Sequence, residues 1–126
     1  MSVKVLIVED NLQDQKLLKK LLKKEEVFEI TMTQTAEEGL DLIKKKKPDI
    51  ILVDTQLPGM DGFEFCQLVK KSTKGKMNII IMTGIIEAID ATRAREVGAD
   101  AYCAKTRDCG YLLSTLKSLI DLNGYS

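Results

Sequence analysis

Apolar and polar residues follow two rhythms along this chain, and the rhythms take turns. Val3 to Val8 is apolar and mostly β-branched, interrupted only by Lys4, while Ile50 to Val53 is uniformly apolar and Asn78 to Met82 nearly so. Runs of this kind suit strands buried on both faces, as in a parallel sheet covered by helices. Val27 to Thr33 alternates instead, which predicts a more exposed strand, and Ala99 to Ala104 predicts a short fifth one. Between these runs the apolar positions recur at helical spacing. Leu12, Leu17, Leu18, Leu21 and Leu22 are interleaved with Gln and Lys, with Asn11 near the cap. Thr35-Ala36-Glu37-Glu38 is a capping box for a second helix carrying Leu40, Leu42 and Ile43, with Lys44 to Lys47 at the end the helix dipole favours and Pro48 as the stop. Asp61 followed by Glu64 opens a third, with Phe65, Cys66, Leu68 and Val69 as its apolar face. A weaker helix through Ile89, Ala94 and Val97 stops at Gly98, and Leu112, Leu113, Leu116, Leu119 and Ile120 mark a last one closed by Asn123-Gly124.

Five strands alternating with five helices, without repeats or a linker-like stretch, predict one doubly wound α/β domain over residues 1–126. Right-handed crossovers put helices on both faces of its parallel sheet. The ligand crevice of such a sheet lies outside the carboxyl ends of its strands. Those ends carry the polar residues of interest. Glu9 and Asp10 follow the first strand, Asp54 the third, Thr83 the fourth and Lys105 the fifth. Asp54 is expected to be held by a rigid strand yet to face outward, with Pro58-Gly59 turning the chain behind it.

Composition narrows the chemistry. The 126 residues, 44% of them hydrophobic, are enough to enclose a single core. Nineteen basic residues balance nineteen acidic ones, so no net field recruits nucleic acid or an acidic membrane. The lysine-rich stretches at Lys19-Lys20, Lys23-Lys24 and Lys44 to Lys47 read as solvated helix faces and ends. The absence of histidine removes the usual general base and excludes Ser-His or Cys-His catalysis. Cys66, Cys103 and Cys109 form no CxxC pair, which speaks for reduced thiols rather than a disulfide framework or a zinc site. With no signal-peptide apolar region and no membrane span, the expectation is a soluble, cytoplasmic protein.

Taken singly, each strand-end residue has an ordinary reading. An aspartate after a strand is more often a cap or turn former than a nucleophile, Glu9-Asp10 can cap the first helix, Thr83 can bond its own backbone, and Lys105 can be solvated. Joint placement at successive strand ends changes the weighing. Three carboxylates and one ammonium in one crevice repel unless a cation intervenes. All-oxygen ligands completed by waters and a phosphoryl oxygen favour Mg2+ over Ca2+. Asp54 can then attack phosphorus to give an aspartyl phosphate, while Lys105 neutralises charge, Thr83 supplies a hydroxyl donor and Gly84 leaves room.

On these residues the chain resembles, over nearly its full length, the receiver domain of two-component response regulators. The marks are Glu9-Asp10, Asp54 with Leu57-Pro58-Gly59-Met60-Asp61-Gly62 behind it, Thr83, and Lys105. The resemblance implies a flavodoxin-like strand order 2-1-3-4-5. It implies that Asp54 accepts a phosphoryl group from a phosphohistidine on a histidine kinase or histidine phosphotransfer protein. It further implies that Mg2+ is bound by Asp10, Asp54 and the backbone carbonyl of Gln56, with Glu9 helping through water, and that Thr83 and Lys105 hold the phosphoryl oxygens. Thr83 and Tyr102 would form the switch, altering the surface of the fourth helix, fifth strand and fifth helix for a downstream protein or a linked effector domain. Homodimerisation on phosphorylation belongs to the same set of implied partnerships. The domain would transfer phosphoryl groups to itself only and not be an enzyme in the wider sense.

Two positions depart from the pattern. Thr106 stands where the family usually has proline after the lysine, often with a cis bond; without proline a cis bond costs about 3–4 kcal/mol, so the reach of Lys105 does not follow from the family pattern. Gln56 stands where an apolar residue is common, and its amide could touch the phosphoryl group or the attacking water and change the phosphate lifetime. The rival readings are a degenerate receiver used only for docking and a phosphatase of the haloacid-dehalogenase type. The latter calls for an acid two residues after Asp54, where this chain has Gln56.

Overall fold

A computed structural model describes residues 2–105 and 110–122. Strands β1 (Val3–Val8), β2 (Phe28–Thr33), β3 (Ile50–Asp54), β4 (Asn78–Thr83) and β5 (Ala101–Ala104) alternate with helices α1 (Leu12–Lys23), α2 (Ala36–Lys46), α3 (Gly62–Ser72), α4 (Ala88–Glu96) and α5 (Gly110–Leu122). All strand pairings are parallel, in the order β2-β1-β3-β4-β5. This is the doubly wound, flavodoxin-like architecture expected from the alternation.

The period-2 geometry of the strands explains the two-sided core. Val5, Ile7, Ile50, Leu52, Ile80 and Met82 face α1 and α5, meeting Leu18, Leu22, Leu112, Leu116 and Ile120. Their neighbours Leu6, Val8, Ile51, Val53, Ile79 and Ile81 face α2, α3 and α4, meeting Ala36, Phe65, Cys66, Val69 and Ala94. Caps fall where their side chains can serve them. Asn11, Thr35 and Asp61 each accept a hydrogen bond from the backbone N–H three residues on, satisfying donors that a helix start leaves open.

Several local expectations are corrected. β5 begins at Ala101 rather than Ala99, because the Asp100 side chain accepts from Ile79 N (2.8 Å) before ladder pairing starts. β2 begins at Phe28, one residue after Val27, whose carbonyl accepts from Val3 N at 2.7 Å. Leu12, Leu68 and Ile89 lie on exposed surface instead of apolar seams. Helix spacing identifies which residues share a face but not what covers that face. Thr106, Cys109 and Asn123-Gly124, and with them the Lys105-Thr106 bond, lie outside the described residues.

Candidate functional site

Register brings the strand ends level. Val8 pairs with Val53 and Asp54 with Met82, so Glu9, Asp54 and Thr83 emerge side by side at one end of the sheet. Thr83 in turn pairs with Ala104, which delivers Lys105 to the same end. A cleft of about 950 Å³ opens there, lined by Asp10, Asp14, Asp54, Gln56, Thr83 and Lys105 among others. Gly62 makes this packing possible. The first turn of α3 sits so close to β3 that a Cβ on Gly62 would fall 2.1 Å from the Asp54 carbonyl oxygen.

One expectation about Asp54 changes. It is the last residue of β3 and only 6% exposed, so it opens onto the cleft floor rather than standing out in solvent. Glu9 is fully buried, whereas Asp10 is exposed at the rim. Each of these three offers a carboxylate oxygen within 4.8 Å of the others. Mg–O bonds of about 2.1 Å set octahedral ligand oxygens roughly 3–4 Å apart, so the cluster is on the scale of a hard divalent cation's site, its members bound directly or through water. The donor set, carboxylates only, fits such an ion.

Lys105 is the hub of the charge network. Its side chain is 9% exposed, and its Nζ donates to Glu9 Oε1 at 2.7 Å and Asp14 Oδ2 at 2.7 Å, and lies 3.2 Å from Asp54 Oδ1. The other Glu9 oxygen accepts from Asn11 N at 3.1 Å. Burial raises the pKa of both Glu9 and Asp54, with Lys105 opposing the rise in each, Asp54 adding to it in Glu9 and Asp10 adding to it in Asp54. Burial alone would disfavour the lysine's charge, but its hydrogen bonds to Asp14 and Glu9 and the field of Asp54 outweigh this and push its pKa upward. Lys105 is thus firmly cationic, and the carboxylates around it are crowded beyond what it neutralises.

The remaining residues behave differently. Thr83 is buried and lines the cleft, yet its hydroxyl donates to Ile85 O at 3.0 Å, bonding its own loop. Gln56 is exposed on the wall, and Gly84 has open space where a side chain would be. Tyr102 is half-buried, packs against the α2-α3-α4 side of the core, and accepts a long hydrogen bond from Glu87 N at 3.5 Å. Asp14 was not singled out by sequence reasoning. The available signal was its place in the first turn of α1, three residues after the Asn11 cap, where an acidic residue reads simply as complementing the helix dipole.

Comparison with known proteins decides the family. The model of the response regulator receiver domain matches residues 5–117. This chain belongs to the receiver domain family. It is similar to a CheY-like response regulator receiver domain protein of Methanospirillum hungatei, at 30% identity and a TM-score of 0.88, covering 99% of this chain and 98% of that one. The BeF3-activated N-terminal receiver domain of Klebsiella pneumoniae RstA matches at 27% identity and a TM-score of 0.82, over 90% of this chain and 95% of that one. A LuxR-family two-component response regulator from Aurantimonas sp., at 23% identity, TM-score 0.87 and coverage of 96% and 86%, shares the receiver fold. Among the described residues no helix is long and apolar enough to cross a membrane.

Proposed function

We propose that residues 1–126 form one cytoplasmic receiver domain whose Asp54 takes a phosphoryl group from the phosphohistidine of a histidine kinase or histidine phosphotransfer protein. An Asp54 carboxylate oxygen bonds to phosphorus as the phosphorus–imidazole bond breaks, and the leaving nitrogen keeps the electron pair. The single observation that carries this reading is the meeting of Lys105 with Glu9 and Asp54, 2.7 and 3.2 Å away, beside a third carboxylate, Asp10. Such a site has too much negative charge for its one resident cation, and a divalent metal is the physical remedy.

Asp10, Asp54 and the Gln56 carbonyl would hold Mg2+. Both Glu9 oxygens already accept hydrogen bonds, which favours its meeting the metal through water. The metal supplies charge neutralisation at the transferring group. Lys105 supplies a fixed positive charge beside Asp54, and the Thr83 hydroxyl, on leaving Ile85, becomes a donor to a phosphoryl oxygen. Movement of Thr83 would pull on the loop from Ile85 to Glu87, where Tyr102 is hydrogen-bonded. The phosphoryl group, carrying close to two negative charges, thus biases a surface that a downstream protein, a linked effector domain or a second copy can read.

The test is to incubate the protein with a small acyl phosphate and Mg2+ and to measure intact mass for wild type and Asp54→Asn. One base-labile phosphoryl adduct per chain, absent in the variant, is expected. Multiple turnover without an adduct would mean a phosphatase, and inertness would leave only a docking module. A Gln56→Met variant should change the half-life of the adduct, and an unchanged decay rate would dismiss a role for the Gln56 amide.

A further inference from the structure

An ammonium group has three N–H donors. In Lys105 they face three carboxylates from three separate elements: Glu9 after β1, Asp14 in α1 and Asp54 at the end of β3. The two shorter contacts, both 2.7 Å, are with Glu9 and Asp14, not with Asp54. A lysine already engaged in this way cannot also bind a phosphoryl oxygen without giving up a partner.

The three partners differ in how easily they are given up. Asp54 carries the phosphoryl group in the reading above and stays beside it. Glu9 is fully buried, so losing its cation would leave a carboxylate partly unpaired and shut off from bulk solvent. The Asp14 side chain is 32% exposed and can turn to solvent at little cost. Its location is not accidental, because Asn11 Oδ1 accepts from Asp14 N at 2.9 Å and fixes the first turn of α1. Helical side chains lean towards the N-terminus, which carries Asp14 back over the cleft.

We propose that Asp14 is a positioning residue, the resting partner of Lys105, and that the phosphoryl group on Asp54 displaces it. This deepens the receiver reading and rests on it. Two consequences work in the same direction. Lys105 is held by Asp14 until a competing anion arrives, and the carboxylate of Asp14 adds negative charge at the mouth through which an anionic phosphodonor enters. Asp14 therefore restrains phosphorylation and keeps the domain selective for donors that bring binding energy of their own.

The proposal is tested with a small acyl phosphate at saturating Mg2+, scoring the adduct by intact mass in wild type, Asp14→Asn, Asp14→Ser, Asp14→Glu and Glu87→Gln. Glu87 lines the same cleft, and no ion pair joins it to Lys105 among the described residues. The half-saturating acyl phosphate concentration should fall about three- to tenfold in both neutral Asp14 variants, and Asp14→Glu should restore the wild-type value. That gain should persist at about 0.5 M salt, where the effect of Glu87→Gln is screened away. The Lys105 ammonium resonance of protein labelled with 15N-lysine should move in Asp14→Asn and not in Glu87→Gln. Equal behaviour of the Asp14 and Glu87 variants at both salt concentrations, slower phosphorylation in Asp14→Asn, or an unmoved Lys105 resonance would overturn the proposal while leaving the receiver reading intact. Failure of the wild type itself to form an adduct would overturn both.

Discussion

The two ends of the sheet each carry a lysine bound to aspartate, and they are built on opposite principles. At the end where the strands begin, Lys70 meets Asp100 at 2.8 Å, and the same Asp100 oxygen accepts from Ile79 N at 2.8 Å. One cation faces one anion, and the spare acceptor capacity ties down the start of a strand. At the end where the strands finish, Lys105 faces Glu9, Asp14 and Asp54, with Asp10 alongside. The first arrangement is complete as it stands. The second has a surplus of carboxylate that folding alone does not reward, and a surplus of that kind is how a structure declares a binding function.

Substitutions should separate the two ends cleanly. Lys105→Ala should slow adduct formation by about 10²–10³-fold, the usual cost of losing one donor to developing charge, while Lys70→Ala leaves the rate unchanged; equal rates in the two variants would erase the distinction. Gly62→Ala forces a methyl group against the Asp54 carbonyl, so denaturant unfolding should show a loss of about 1–3 kcal/mol together with slower phosphorylation. Asp100→Ala removes the only side-chain acceptor of Ile79 N among the described residues and should cost about 1–3 kcal/mol of stability without touching phosphorylation.

The smallest effect concerns pH. Burial raises the pKa of Glu9 above its ordinary 4.5 and of Asp54 above its ordinary 3.8. A folded-state carboxyl with a raised pKa binds protons more tightly than its unfolded counterpart. The stability these two groups contribute is complete below those ordinary values and is lost as pH climbs through the raised ones. Mg2+ held by the proposed site needs these carboxylates deprotonated, so its stabilising effect should grow over the same interval. At ten times its dissociation constant the ion should add about 1.4 kcal/mol, visible as a higher melting temperature near pH 7 and a much smaller rise near pH 4. The same rise at both pH values would contradict a site made of these carboxylates.

Much of this was legible in the residues themselves. Apolar, β-branched runs such as Ile50 to Val53 suit strands buried on both faces, and their terminal polar residues share one edge once the strands run parallel. Burial was less legible. Asp54 reads as an exposed strand-end acid, and only the close approach of Gly62 and α3 shows that it lies on a cleft floor. Leu12, Leu68 and Ile89 fit helical periodicity equally well inside or outside, and which applies depends on neighbours far along the chain. Asp14 escaped for a related reason. Its contact with Lys105 spans 91 positions and depends on the exact pitch of α1 over the sheet, which no local pattern encodes.

The most direct test of the phosphoacceptor is chemical. Borohydride reduces an acyl phosphate to an alcohol, so an aspartyl phosphate becomes homoserine and marks its own position. After treatment with a small acyl phosphate and Mg2+, then borohydride and proteolysis, the peptide spanning Ile50 to Met60 should carry homoserine at position 54. Homoserine at Asp10 or Asp14 instead, or no conversion in a protein that has gained a phosphoryl mass, would contradict the assignment.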